Sequence, residues 1–149
     1  CAVVRDWNGT MAWRARTRLA LLTASFALAT GEVESAAAQA RAVAIEAAAA
    51  DNPRHALRAR LVEAQARALA GQPVDAGEVD AALTALDRCA GLESWRITAE
   101  AAAACGVERW AVDAERRAAT LLAQAGPYTD RARRWVEQTL EGIRGSTRR

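Results

Sequence analysis

The chain has 149 residues, enough for one domain that buries roughly 70% of the surface its unfolded form exposes. Forty residues are alanine, whereas phenylalanine and tyrosine occur once each, which favours helices because alanine loses no side-chain entropy in a helix. All 20 basic residues are arginine, yet 18 acidic residues are interleaved with them, and a net charge of +2 argues against a dedicated polyanion-binding protein.

Apolar residues recur at intervals of three and four along the chain, which predicts helices and no β-strand. The first helix begins at Thr10, a residue suited to the N-cap, and ends near Gly31. The second helix extends from Glu32 to about Ala50. The stripes predicted to face inward are Leu19, Leu22, Phe26 and Ala29 in the first helix and Val33, Ala37, Ala40, Ala44 and Ala47 in the second.

The third and fourth helices are separated by the loop GQPVDAG. The dipeptide at 52–53, Asn followed by Pro, predicts the start of the third helix, which ends at Gly71. Asp75, with Glu78 three residues later, predicts a start of the fourth helix that resembles a capping box. The fourth helix is expected to end near Gly91. The inward stripe of the third helix is predicted to be Leu57, Leu61, Ala64 and Ala68.

Three further helices complete the chain. The fifth begins at Ser94 and ends at Gly106, the sixth covers about 107–125, and the seventh covers about 130–144. Their predicted inward stripes are Trp95, Ala99, Ala102 and Cys105, then Trp110, Ala114, Ala118 and Leu121, and finally Ala132, Trp135, Val136, Leu140 and Ile143.

A glycine ends the first helix of each consecutive pair, at Gly31, Gly71 and Gly106. The short connections make neighbouring helices antiparallel, and the many alanines of the second helices let them approach their partners closely. The fold expected from the pattern is therefore all-α and built from antiparallel helical hairpins. The hairpins cover about 10–50, 53–90 and 94–125.

Residues 94–127 carry a recurring set of large and small residues: Trp95 early in the first helix, Ala99 and Ala102 within it, Gly106 at the turn, Ala111 and Ala118 in the second helix, and Pro127 after it. This pattern resembles the tetratricopeptide repeat superfamily. The first hairpin matches it through Leu19, Leu22, Phe26, Gly31, Ala36 and Pro53, whereas the loop QPVDAG lengthens the turn of the second. The resemblance covers residues 12–144.

Degenerate repeats rich in alanine and arginine look like the helical regions of large actinobacterial regulators, such as LuxR-type or ATPase-coupled transcription regulators, and of caspase-like CHAT-domain proteins. The resemblance implies a right-handed array of about seven helices, in which the last is a solvating helix that covers the final repeat. We expect residues 1–149 to form a single helical-repeat domain, the C-terminal part of a longer cytoplasmic regulatory protein.

The function expected from this resemblance is protein–protein interaction or intramolecular scaffolding within that larger protein. The partner is then a protein, a peptide or another domain of the parent chain. The oligomeric state is left open. The longest uncharged run, residues 19–31, is too short to cross a bilayer, so no membrane partner is expected.

No motif for catalysis, cofactor binding or metal binding is visible in the sequence. The sole histidine, His55, has only arginines near it in sequence and is interpreted as a solvated residue at a helix start. One histidine and three scattered cysteines do not form a metal site, and a chain without lysine cannot form a P-loop. We therefore predict a protein that is not an enzyme and has no cofactor.

The cysteines, Cys1, Cys89 and Cys105, are odd in number and lack C-x-x-C spacing, which is typical of buried fillers or free thiols in a reducing compartment. Cys1 has two open interpretations: an internal residue of a longer chain, or the lipid-bearing first residue of a mature bacterial lipoprotein. A lipoprotein needs a flexible polar tether after this cysteine, and the segment AVVRDW that follows is not one. We therefore prefer the interpretation as an internal residue of a longer chain.

Arginines on the odd-numbered helices are the candidate partner-binding residues. The resemblance implies that these helices line a concave surface, where a basic track would bind an acidic peptide or a terminal carboxylate. The residues of this track are Arg14, Arg18, Arg58 and Arg96. The alternative is ordinary solubilising charge paired locally, as in Glu63 with Arg67 and Asp113 with Arg117. Nucleic-acid binding through the same face is the second functional hypothesis, disfavoured because no dense basic segment or reading motif is visible.

Overall fold

The structure is a computed structural model that describes residues 10–86 and 91–124 and four single positions, 134, 137, 138 and 141. Over these residues the chain is all-helical, and the all-α prediction is confirmed there. The helices are α1 Thr10–Ala29, α2 Val33–Ala49, α3 Pro53–Leu69, α4 Ala76–Ala85, α5 Leu92–Cys105 and α6 Glu108–Gln124. They divide into two compact units, Cys1–Leu86 with α1 to α4 and Asp87–Arg149 with α5 and α6.

Several predictions concern residues outside the described ranges. The predicted seventh helix, about 130–144, is described only at its four single positions, each of them helical. The predicted stripe of that helix, Ala132, Trp135, Val136, Leu140 and Ile143, lies outside the described residues, as do Cys1, Cys89 and Pro127.

Small side chains form the contacts among α1, α2 and α3. One core cluster contains Leu21 and Ala24 of α1, Ala40, Val43 and Ala44 of α2, and Ala59 and Val62 of α3. A second cluster joins Ala27, Ala36 and Ala66, which lie late in α1, early in α2 and late in α3. Because the order of the clusters is reversed along α2, this helix is antiparallel to both α1 and α3. Helices α1 and α3 therefore run in the same direction, and they also contact each other.

The predicted inward stripe of α1 is wrong. Leu22 is 66% exposed and Phe26 68% exposed, whereas Ala24 and Ala27 are buried. Of the remaining stripe, Ala29 is exposed and Leu19 is half-buried. The helices α2 and α3 present alanines to α1, and alanine against alanine brings two helices closer than leucine or phenylalanine allows. The inward face of α1 therefore consists of Leu21 and three smaller residues, Thr17, Ala24 and Ala27.

The predicted stripes of α2 and α3 are confirmed at most positions. The buried members are Ala40, Ala44, Ala47, Leu57, Leu61 and Ala64, and the half-buried members are Val33, Ala37 and Ala68. These positions recur at intervals of three and four residues, which is why the sequence pattern identifies them.

Two predicted helix starts are confirmed by side-chain caps. The Oδ1 atom of Asn52 accepts the backbone N–H of His55 at 3.3 Å, and Pro53 follows at the first helical position. The Oδ1 atom of Asp75 accepts the backbone N–H of Glu78 at 3.3 Å. Each cap satisfies a donor that has no partner within the helix.

The predicted end of the fourth helix is wrong. Helix α4 ends at Ala85 rather than near Gly91, and its C-cap residue Leu86 is fully buried. Gly91 has extended backbone and is the N-cap of α5. Helix α5 therefore begins at Leu92, two residues before the predicted start at Ser94.

An ion-pair network centred on Glu63 joins α3 to α4. The Nη1 atom of Arg60 lies 2.8 Å from Oε2 of Glu63 and 2.7 Å from Glu78 on α4. Arg67 binds the other oxygen of Glu63 at 3.0 Å, which confirms the predicted local pair. Glu63 is only 4% exposed, so these contacts supply the partners that a buried carboxylate requires.

Two tryptophans are buried where α5 contacts α6. Trp95 and Trp110 are both almost fully buried, as the predicted stripes require. The Cζ atom of Arg117 lies 5.3 Å from the ring centroid of Trp95, and Asp113 holds the same guanidinium at 2.6 Å, which confirms the second predicted local pair. The other stripe members are buried at Ala99, Ala102, Ala114 and Ala118 and half-buried at Cys105 and Leu121.

Left-handed glycines follow α1, α3 and α5, as the sequence predicts for Gly31, Gly71 and Gly106. At Gly71 φ is +66°, and the N–H of Gln72 then reaches the carbonyl of Arg67 at 2.9 Å. Helix α2 ends in the same way at Asp51, which has φ +51° and is the non-glycine residue with positive φ in the described chain. A side chain in this conformation costs about 1 kcal/mol or more.

We expect Asp51→Gly to raise the free energy of unfolding by about 0.5–1 kcal/mol, because glycine adopts the positive φ without strain. Gly71→Ala should lower it by about 1 kcal/mol. No atom lies within 4 Å of a Cβ added at Gly71, so the backbone conformation alone causes this loss. Urea unfolding of the two variants measures both values. Asp51→Ala keeps a side chain at positive φ and is the control that should show no gain.

Trp95→Ala is expected to leave a cavity and to lower the free energy of unfolding by about 3–5 kcal/mol. Trp95→Phe should cost less than about 2 kcal/mol, since it keeps a ring and removes the Nε1 donor. That donor is buried and has no hydrogen-bond partner among the described residues. Urea unfolding of both variants tests the packing. A change below about 0.5 kcal/mol for the alanine variant would show that Trp95 is a surface residue.

Candidate functional site

Three of the four arginines predicted to bind a partner lie around His55 in the first unit. Arg14 and Arg18 are exposed on α1, and Arg58 is exposed on α3 one turn after His55. All three act electrostatically on the imidazole of His55. They meet because α1 and α3 run in the same direction and contact each other, so residues early in both helices are neighbours. We call Arg14, Arg18 and Arg58 the arginine cluster.

His55 is half-buried, so the interpretation of it as a solvated residue is only partly correct. Burial lowers the pKa of His55 below its ordinary value of 6.5, and the positive charges of Arg18, Arg58 and Arg14 lower this pKa further. Its Nδ1 atom lies 3.1 Å from Oδ1 of Asn52, an oxygen that can only accept, so the neutral ring carries its proton on Nδ1. At neutral pH the positive charge of this surface is therefore that of the arginines.

The arginine cluster has no carboxylate partner within the described part of the chain. Many other arginines do have one: Arg60, Arg67, Arg96, Arg116 and Arg117. Helix α1 contributes three arginines and no acidic residue. Local pairing with carboxylates therefore accounts for these five arginines but not for the arginine cluster. Arg16 and Arg41 also have no carboxylate partner among the described residues, but neither acts on His55.

Arg96, the fourth predicted residue, belongs to the second unit and has different surroundings. Its Nε atom donates to Glu93 at 3.0 Å, and its Nη1 atom binds Glu100. The hydrogen bonds that Arg96 donates to Glu93 raise the pKa of Arg96, and the charge of Glu100 adds to this effect. Because two carboxylates balance its charge, Arg96 offers less attraction to an anion than the cluster does. Its part in partner binding stays a prediction.

Other groups in the described chain offer little chemistry. Within residues 10–86 and 91–124, histidine, cysteine and carboxylate side chains form no group of three that could hold a metal ion. Burial raises the pKa of the Cys105 thiol to about 11, so the nucleophilic thiolate is scarce at neutral pH. A cavity of about 10 Å³ beside Arg60, Glu63 and Glu78 has room for one water molecule. None of the described helices is both long and apolar enough to span a membrane.

Sequence reasoning missed the apolar part of this surface. Leu22 and Phe26 follow Arg18 at intervals of four residues, so the three side chains lie in one row on α1. The sequence signal for this exposure was the alanine-rich inner side of α2, because alanines pack most closely against other small residues. The arginine cluster thus continues into an exposed apolar pair on the same helix.

We expect the pKa of His55 to lie below 6.5 and to rise toward that value in Arg18→Gln, which removes the strongest charge acting on it. Proton NMR titration measures this directly because the chain has a single histidine. Arg41→Gln is the control and should leave the pKa unchanged. The stability linked to His55 should be complete above 6.5 and lost as the pH falls through the lowered pKa. An unchanged pKa in Arg18→Gln would contradict the cluster.

No protein-family model, curated protein or solved structure matches this chain. Its function is therefore inferred from the surface formed by the arginine cluster, Leu22 and Phe26. On that surface, exposed cations of two helices gather around His55, and an apolar pair continues the row along α1.

Proposed function

We propose that the chain is a helical-repeat interaction module whose arginine cluster binds an acidic segment of a protein or peptide. The observation that carries this proposal is the position of Arg14, Arg18 and Arg58 around His55, without a carboxylate partner in the described chain. Neighbouring cations repel one another, and an acidic ligand removes that repulsion on binding. Guanidinium groups also bind carboxylates through two parallel hydrogen bonds, which adds geometric selectivity.

The proposal includes an architecture of the tetratricopeptide type: a right-handed array of about seven helices over residues 1–149, closed by a solvating helix at about 130–144. Its support is the antiparallel order of α1, α2 and α3, with glycine-ended first helices and an alanine-rich second helix. Helices α1 and α3 are then first helices of consecutive hairpins, the side on which solenoids bind their partners. The partner is a separate protein or another domain of a larger cytoplasmic regulatory protein.

Nucleic-acid binding is the alternative function for the same cations. A duplex needs many phosphates to be neutralised, and a net charge of +2 with acids interleaved in the sequence offers few excess cations. The acidic peptide is therefore the preferred ligand of the arginine cluster.

We expect Arg18→Glu combined with Arg58→Glu to weaken the binding of a glutamate-rich peptide by about tenfold or more, because attraction becomes repulsion. Fluorescence anisotropy of a labelled peptide measures the dissociation constant. The matched control is Arg16→Glu combined with Arg41→Glu, which changes the net charge equally at exposed arginines outside the cluster. The control should stay within about threefold of the wild type, and added salt should weaken wild-type binding.

A random-sequence DNA duplex is titrated in parallel. Tighter binding of the duplex, with a steep salt dependence, would favour the nucleic-acid alternative. Binding of neither ligand would refute the proposed role of the cluster. Arg96→Gln tests the remaining predicted residue, and a loss of peptide affinity in this variant would add Arg96 to the binding surface.

A further inference from the structure

Two large apolar side chains on α1 are exposed next to the arginine cluster. Of the large apolar residues exposed in the described chain, Leu22 and Phe26 are the two that share a helix, and each has about two-thirds of its surface exposed. They follow Arg14 and Arg18 at successive intervals of four residues. At 1.5 Å per residue, the row from Arg14 to Phe26 is about 18 Å long.

All four side chains of this row are exposed. The buried positions of the helix are Thr17, Leu21, Ala24 and Ala27, and Leu22 and Phe26 lie on the opposite side of it. Leu22 and Phe26 therefore contribute little to folding, and adjacent exposed apolar residues of this kind mark interaction sites. The row joins a basic half to an apolar half.

We propose that Arg14, Arg18, Leu22 and Phe26, together with Arg58 on α3, form a docking surface for an acidic amphipathic helix. This inference rests on the proposed function, and it specifies the partner. The partner's carboxylates contact the arginine cluster, and two of its apolar side chains cover Leu22 and Phe26. Spacing at every fourth residue favours a helix as the ligand, because the ridge of one helix fits between the ridges of another.

Charge complementarity favours an acidic amphipathic helix over two other ligands, a second copy of the chain and an anionic membrane. In a symmetric dimer, a second copy of the chain would present the same helix α1, which carries three arginines and no acidic residue, so it would supply no counter-charge. An anionic membrane supplies charge, but binding in the interface grows with the apolar area that is buried, and this row offers two large side chains. An acidic amphipathic helix satisfies both halves of the row.

The test uses designed helical peptides of about fifteen residues, long enough to cover the row. Two of them carry glutamates at one end and a pair of leucines at the other, in the two possible orders. A third peptide has the same composition scrambled so that no apolar face forms. Anisotropy titrations should show that one of the ordered peptides binds the wild-type chain about tenfold or more tightly than the scrambled peptide.

Leu22→Ser combined with Phe26→Ser should remove this advantage, so that ordered and scrambled peptides bind alike. Ile45→Ser is the matched control. Ile45 is an exposed apolar residue of the same unit, on the side of α2 opposite its buried positions 40, 43, 44 and 47, and its loss should leave the advantage intact. Circular dichroism and urea unfolding check that the exposed substitutions leave the fold unchanged.

The possible outcomes distinguish the docking surface from the more general proposal that the arginine cluster binds an acidic segment. If ordered and scrambled peptides bind the wild type equally, and binding depends on Arg18 and Arg58, the docking surface is overturned while the proposed function stands. If neither binds, both fail. Dimerisation in analytical ultracentrifugation that is lost in Leu22→Ser/Phe26→Ser would show that a second copy occupies the row. Tighter binding to vesicles of phosphatidylserine and phosphatidylcholine than to any peptide, lost in the same variant, would assign the row to a membrane.

Discussion

The close packing of alanine against alanine among α1, α2 and α3 is the contact on which the first unit depends. Ala24, Ala40 and Ala59, one from each helix, are completely buried. Each alanine removes little apolar area from water, so the stabilisation comes from many short contacts between backbones that approach closely. Leu21 is the one large buried side chain that α1 contributes to the two core clusters. Leu22 and Phe26 are excluded from these clusters and remain on the outer side of α1.

The same packing creates the basic surface. Because α2 is antiparallel to both neighbours, α1 and α3 run in the same direction, and cations early in each helix meet around His55. Repulsion among exposed guanidinium groups is screened by solvent and costs the fold little. On α3 the proposed binding residue is separate from the residue that joins the helix to α4: Arg58 is exposed, whereas Arg60 holds the buried Glu63 and also pairs with Glu78 of α4.

The proposed docking surface on α1 has a basic half and an apolar half, and the two together select a ligand more strictly than either does alone. Many proteins offer acidic segments, and many offer apolar ones, but a ligand of the row must carry both in one order along one helix. Burial of the apolar half supplies affinity, whereas the charged half sets the orientation and speeds encounter. The lowered pKa of His55 keeps the imidazole neutral at neutral pH, so the arginines alone provide the positive charge.

Local chemistry in the sequence determined where most helices begin and end. Asn52 and Asp75 cap helices, and Gly31 and Gly71 close them, because each acts on backbone atoms within a few residues. The end of α4 was predicted too late, because the helix ends at Ala85 with the fully buried Leu86 as its C-cap. Periodicity also identified most of the buried positions of α2, α3, α5 and α6.

Helix α1 is different because its large apolar residues lie on several sides, as Leu19, Leu21, Leu22, Phe26 and Leu28 show. The sequence pattern of α1 alone therefore does not show which side of the helix is buried. Only the alanines of α2 and α3, once packed against α1, select its inward face and leave Leu22 and Phe26 outside. The meeting of Arg14 and Arg18 with Arg58 likewise depends on two helices about 40 residues apart lying side by side, a contact between distant segments that local propensity does not specify.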